Sequence, residues 1–140
     1  TLIPLHCERS IVDIRHKSAE KTEKWNKVVI EASKQCKRNY LTKIEDVMSF
    51  DCLMKTVCDY DLSLIACTDT HTKTLKGVLS EHPSARKIIC LVGPEGGFTR
   101  TEVEMAEKSG CIPVSAGHSV LRTETAVVAI SAMLLYAYSD

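Results

Sequence analysis

The sequence carries no net charge: eighteen basic residues cancel eighteen acidic ones. No global positive field marks it as a nucleic-acid binder, so any RNA contact must come from local patches. No apolar run approaches the roughly 20 residues of a membrane-spanning helix, and the N-terminus lacks a signal-peptide pattern. A soluble protein without membrane partners is expected. There is no C-x-x-C pair; Cys7, Cys36, Cys52, Cys58, Cys67, Cys90 and Cys111 are odd in number and scattered, several in apolar segments where reduced thiols behave as small hydrophobes. That usage implies a reducing, cytoplasmic compartment. The G-x-x-x-x-G-K-S/T run of a P-loop and the G-x-G-x-x-G of a dinucleotide fold are both missing. No linker or repeat interrupts the 140 residues, a length that suits one domain with a sizeable core.

What is present centres on two stretches. Lys87-Ile88-Ile89-Cys90-Leu91-Val92 reads as a buried strand that stops at Gly93-Pro94-Glu95-Gly96-Gly97. Thr99-Arg100-Thr101-Glu102 then fits a capping box opening a helix. The glycines let a ligand approach backbone with no Cβ in the way, and the helix start offers unpaired N–H groups. The pattern repeats downstream: Ile112-Pro113-Val114-Ser115 as a strand, Ala116-Gly117-His118-Ser119 as a loop, and an apolar helix from roughly Glu124 to Tyr138. Loops leaving the carboxyl ends of parallel strands gather on one edge of the sheet, so the two turns should meet and frame a small-molecule pocket.

The remaining chain supplies the other layers. Leu2-Ile3-Pro4-Leu5 suggests a strand, Ile11-Val12-Asp13-Ile14 a short extension, and the polar run from Arg15 to Lys21 a connection. From Thr22, the positions Trp25, Val28, Val29, Ala32 and Cys36 follow helical spacing, opposite Lys24, Lys27, Glu31 and Lys34. Lys34, Lys37, Arg38 and Lys43 form the densest basic cluster, which suits either a helix C-terminus or a phosphate contact. Ser49 to Val57 predicts a second helix, Leu62 to Cys67 a buried strand, and Thr74 to Leu79 a short helix before His82-Pro83. Alternating strands and helices predict an α/β fold, a mostly parallel sheet with helices on both faces.

Val92-Gly-Pro-Glu-Gly-Gly-Phe-Thr99 and Ala116-Gly-His-Ser-Val-Leu-Arg-Thr-Glu-Thr-Ala126, with Ile3-Pro4-Leu5, Glu8-Arg9-Ser10 and Glu31 to Arg38, resemble the RsmE-like family of 16S ribosomal RNA uridine-N3 methyltransferases. These belong to the SPOUT class. The resemblance covers nearly the whole chain. It implies a C-terminal trefoil knot, S-adenosylmethionine as cofactor, ribosomal RNA of the small subunit as substrate, and a homodimer paired through helices bordering the knot. It also implies that residues 1–140 are the methyltransferase domain alone, since the family's N-terminal β-barrel RNA-binding domain and first strand and helix have no counterpart in the sequence.

Carried onto this chain, the family's cofactor loops fall on Leu91, Val92, Gly93, Gly96, Gly97, Ala116, Gly117, Val120, Leu121 and Arg122. Arg122 is the candidate for stabilising negative charge on the uracil, or else for a salt bridge to Glu95 or Glu124; those carboxylates are candidates for orienting substrate or taking its proton, or for complementing helix dipoles. Gln35, Lys37 and Arg38 are candidate RNA contacts. Two positions depart from the family pattern, Ser119 in place of an arginine and Ala116 in place of a leucine, and the first removes a charge. A non-catalytic or retargeted RNA-binding dimer is the alternative from another class. Gly117-His118-Ser119-Val120-Leu121 lacks the final glycine of a hydrolase elbow. Cys67, Asp69 and His71 lack a fourth metal partner, so no metal is expected.

Overall fold

The computed structural model describes residues 1–11, 18–68 and 72–138. Positions 12–14 of the expected extension and 15–17 of the following polar run lie outside the described residues, as do Asp69 and His71.

Four strands, β3 (Leu62–Ala66), β4 (Lys73–Thr74), β5 (Ile88–Leu91) and β6 (Ile112–Ser115), form a sheet in the order β4-β6-β3-β5. Every pairing in it is parallel, with Leu64 opposite both Cys90 and Ile112. β3 alternates between two cores, as the two-residue period of a strand requires. Ile65 packs with Leu91, Phe50, Leu53, Met54, Val57, Ala106 and Cys111 under helices α2 (Phe50–Met54) and α4 (Arg100–Lys108). Leu62 and Leu64 pack with Val114, Leu75, Val78, Leu79 and Ile130 under α3 (Leu75–Glu81) and α5 (Thr123–Tyr138). Helices therefore cover both faces. Ser63, pointing to the first core, is buried without penalty because its hydroxyl donates to the Val57 carbonyl at 2.7 Å.

Local chemistry sets the element ends. Thr99 and Glu102 form both halves of the expected capping box at the start of α4. Ser49 accepts from Cys52 N–H and caps α2, but the expected helix to Val57 breaks after Met54 and resumes as a 3-10 turn, Val57–Asp59. Thr56 explains the break by donating its hydroxyl back to the Leu53 carbonyl. Thr74 caps α3 through Gly77 N–H, and the helix ends before His82-Pro83.

The N-terminal strand is shifted from its expected place. Leu2 makes an isolated bridge to Ile44, and regular pairing begins only with β1 (Leu5–His6) against β2 (Met48–Ser49). Pro4 lies between and has no N–H, though its carbonyl accepts from Met48. Helix α1 (Ser18–Gln35) exists where its spacing predicted, yet its apolar stripe is only partly covered: Trp25 and Val29 are half-buried, whereas Val28 is 67% exposed and Ala32 and Cys36 are exposed too. It ends in a Schellman arrangement, with Lys37 in the left-handed region at φ 55° and Arg38 N–H bonded to the Ser33 carbonyl at 3.0 Å.

Candidate active site

Because β5, β3 and β6 run parallel side by side, their carboxyl ends share one edge of the sheet. The turn after β5 and the loop after β6 leave from strands on either side of β3, and both line one open cleft of about 1390 Å³. Its wall includes Val92 to Phe98 from the first turn and Ser115 to Glu124 from the second, with Ala66 and Cys67 at the end of β3 and Ile130 of α5. Such a space exceeds the usual 300–1,000 Å³ of a small-ligand pocket, so it has room beside a ligand of that size.

The first turn is shaped by two of its glycines. A Cβ on Gly93 would stand 3.1 Å from the Phe98 nitrogen and 3.2 Å from the Gly97 carbonyl carbon, so the chain folds back closely enough that a side chain there would have to push the backbone aside by a few tenths of an ångström. Gly97 N–H donates to the Pro94 carbonyl at 2.8 Å, and Gly97 itself takes φ 68°. The second loop is tied down by Ser115, whose hydroxyl donates to the Gly117 carbonyl at 2.7 Å. The two loops are joined directly: Thr123 Oγ1 donates to the Gly93 carbonyl at 3.0 Å.

Of the residues singled out from the sequence, Val92, Gly93, Glu95, Gly96, Gly97, Ala116, Gly117, Val120, Leu121, Arg122 and Glu124 all stand on this cleft. Val120 is 76% exposed, an apolar side chain held out at the mouth. Leu91 is the exception. It is buried in the core beneath α2 and α4 and is not among the lining residues, because the strand's last inward position falls on it. Arg122, Glu95 and Glu124 are exposed, and among the described residues Arg122 makes no ion pair with either carboxylate. The salt-bridge alternative for Arg122 is not formed, and neither Glu is desolvated within one chain.

Gln35, Lys37 and Arg38 are exposed and lie outside the cleft lining. Their basic cluster is partly neutralised, since Lys34 pairs with Glu31 at 2.8 Å and Lys43 with Glu45 at 2.7 Å. The Arg38 guanidinium sits over the Tyr40 ring, 5.5 Å from its centre. Sequence reading gave no role to Arg9, Thr123, Lys73, Arg100, Glu104 or Glu107, all of which line the cleft. Arg9 and Thr123 stood inside the segments that carried the family resemblance, which was the one signal available for them.

A family model described as "RNA methyltransferase domain" matches residues 1–135. The chain belongs to this RNA methyltransferase family. Among its relatives is the ribosomal RNA small subunit methyltransferase E of Bacillus subtilis, 33% identical over 137 residues, which cover 94% of this chain and 54% of the relative. The Aquifex aeolicus protein of the same name is 33% identical over 135 residues, 96% of this chain and 56% of the relative. The chain spans about half the length of the curated relatives it matches. In solved structures, a Neisseria gonorrhoeae ribosomal RNA small subunit methyltransferase E bound to S-adenosyl methionine superposes with a TM-score of 0.86 at 29% identity, covering 97% of this chain and 54% of that one. A Legionella pneumophila protein in complex with the cofactor SAM gives a TM-score of 0.87 at 31% identity, covering 96% and 54%. The family membership and the parallel α/β architecture thus agree with what the two motifs implied.

Proposed function

We propose that this chain is the methyltransferase domain, residues 1–140, of a cytoplasmic S-adenosylmethionine-dependent enzyme that methylates N3 of a uridine in small-subunit (16S) ribosomal RNA. The observation that carries the reading is the convergence of two glycine-bearing loops from separate strands on one cleft, joined by the Thr123–Gly93 bond. The likeness to small-subunit ribosomal RNA methyltransferases and the cofactor held by two structural neighbours support it.

The lining suits the cofactor's two kinds of surface. Val92, Val120 and Leu121 offer apolar contact for a purine, while the backbone of Gly93 to Gly97 and Ala116 to Arg122 offers N–H and C=O groups for its polar edge. When bound, S-adenosylmethionine supplies an electrophilic methyl on a sulfonium, so the chain's own task is alignment, and no covalent enzyme intermediate is required. On the cleft wall Glu95 or Glu124, or else water, would take up the proton that uridine N3 gives up as it accepts the methyl group. Arg122, unpaired with those carboxylates, is free to face the negative charge that spreads over the uracil oxygens. Lys37, Arg38 and Gln35 contribute RNA contacts at a distance from the reacting base.

The same reading includes a homodimer and the knotted C-terminal path of the SPOUT class. Supporting the dimer, α5 buries Ile130 but leaves Val128, Leu135 and Tyr136 largely exposed, an apolar surface that a second copy can cover. A second reading, a non-catalytic or retargeted RNA-binding dimer, is favoured by Ser119 standing in the cleft where the family pattern has arginine. Calorimetric titration with S-adenosylmethionine followed by labelled-methyl transfer to 16S ribosomal RNA and to assembled small subunits separates them. Binding with transfer to a uridine is expected; binding without transfer selects the second reading, and no binding at millimolar ligand removes the methyltransferase claim. Sedimentation at micromolar chain tests the dimer.

A further inference from the structure

We propose that Arg9 is a positioning residue that locks the Gly96–Gly97 peptide, making the turn at Cys7–Ser10 a working part of the cofactor site. The inference rests on the function proposed above for that cleft. Cys7–Ser10 is closed on itself, with Cys7 N–H donating to Ser10 Oγ at 3.0 Å and Ser10 N–H to the Cys7 carbonyl at 3.1 Å. It is anchored on two sides. Cys7 is buried in the core beneath α2 and α4, and Glu8 N–H donates to Glu102 Oε1 at 2.9 Å, the carboxylate that also caps α4. Thr99 Oγ1 adds a longer bond, 3.3 Å, to Glu8 Oε2.

From this fixed base Arg9 reaches the cleft and donates Nη1–H to the Gly96 carbonyl at 2.7 Å. Its stem packs on the same residue, for a Cβ on Gly96 would lie 3.3 Å from Arg9 Cδ. The peptide joining Gly96 to Gly97 is the one most able to flip, because neither flanking residue has a Cβ to restrict it. Here it is held at both ends: its oxygen by Arg9, its N–H by the Pro94 carbonyl at 2.8 Å. A flip would exchange a donor for an acceptor on the wall that meets the cofactor. Arg9 therefore acts on binding through Gly96, without being a catalytic group itself.

The test uses the full chain with Arg9→Ala, Arg9→Lys, Gly96→Ala and the double variant. Amide exchange at Gly97 and Phe98 is followed by NMR without ligand, and S-adenosylmethionine affinity by calorimetry. Arg9→Ala should speed exchange at Gly97 while leaving the β3 amides unchanged, and should weaken cofactor binding roughly fivefold, the worth of one net hydrogen bond. Arg9→Lys, which keeps one donor, should recover part of both. Gly96→Ala acts by pushing on Arg9, so the double variant should lose less than the two single losses combined. Unchanged Gly97 exchange in Arg9→Ala, or losses that simply add, would overturn the proposal. If the unaltered chain fails to bind S-adenosylmethionine, the proposed function falls, and the exchange data alone decide whether Arg9 holds the peptide.

Discussion

Thr123 and Gly93, thirty positions apart, share a hydrogen bond of 3.0 Å that fastens the first residue of α5 to the first glycine of the turn after β5. One wall of the cleft is thereby registered against the other. Thr123→Val keeps the shape of the side chain and removes the donor, leaving the Gly93 carbonyl without this partner. It should destabilise the chain by about 1 kcal/mol and weaken S-adenosylmethionine binding, whereas Thr123→Ser should preserve both. Urea midpoints and calorimetry on the two variants check this; a loss in Thr123→Ser with Thr123→Val unaffected would assign the effect to the methyl group.

Gly93 itself leaves little room for substitution. An alanine there sets a methyl group 3.1 Å from backbone nitrogen of Phe98 and 3.2 Å from the Phe98 ring. Neither neighbour can swing aside cheaply, since the first is main chain and the ring packs 5.7 Å from Phe50, centre to centre. Overpacking of this kind costs about 1–3 kcal/mol. Gly93→Ala should lower the urea midpoint and cofactor affinity together, and a variant with native affinity would show that the turn can reopen.

Glu102 serves two partners at once. Its side chain is buried, accepts from Thr99 N–H at 2.8 Å as the cap of α4, and accepts from Glu8 N–H at 2.9 Å from the N-terminal turn. Glu102→Ala strands two donors and should cost about 1–3 kcal/mol. Glu102→Gln can serve only one of them with its remaining oxygen, so an intermediate loss is expected. The β1 region should exchange its amides faster in both variants.

Glu102 also marks where sequence reading stops. The capping box from Thr99 to Glu102 was legible, as were the strands around Ile88–Leu91 and Ile112–Ser115, because each is dictated within a few residues by hydrophobic period or cap chemistry. The bond from Glu8 to Glu102, ninety-four positions away, has no local signature. The same is true of Arg9 on Gly96. Leu91, next to the glycine turn, shows what strand alternation decides: its side chain goes into the core. The apolar stripe of α1 was visible as a period, yet period alone does not say whether this chain covers it, and Val28 stays exposed.

Arg122 is the residue on which the proposed chemistry depends most. It is exposed on the cleft with no ion pair to Glu95 or Glu124, so its removal breaks no such bridge in the free chain. Arg122→Ala should leave the unfolding free energy from urea titration within about 0.5 kcal/mol of native, as for other surface changes. Turnover should fall much further, on the order of 100-fold or more for a lost charge-stabilising group. Single-turnover methyl transfer alongside cofactor titration separates the two roles; a fall in affinity that matches the fall in rate would place Arg122 in cofactor binding alone.

The buried thiols give the chain an alkaline limit. Burial pushes Cys7 up to about 12, with the Glu102 carboxylate adding to it, and burial does the same for Cys90, also to about 12, and for Cys111, to about 11. In the unfolded chain these thiols ionise near the ordinary 9.0. Below that pH both states hold the protons and stability does not depend on them. Above it the unfolded state releases protons that the folded state keeps, so stability falls as pH rises from about 9 towards 11–12. Urea midpoints measured between pH 8 and pH 10.5 should decline, with a shallower slope in Cys90→Ala, which removes one of the three groups. At pH 8 iodoacetamide should label the exposed Cys36, Cys52 and Cys58 and leave Cys7 and Cys111 unmodified until urea is added. Rapid labelling of Cys7 in the folded chain would mean that the turn carrying Glu8 and Arg9 opens readily, and the anchor on which the cleft's first wall depends would be lost with it.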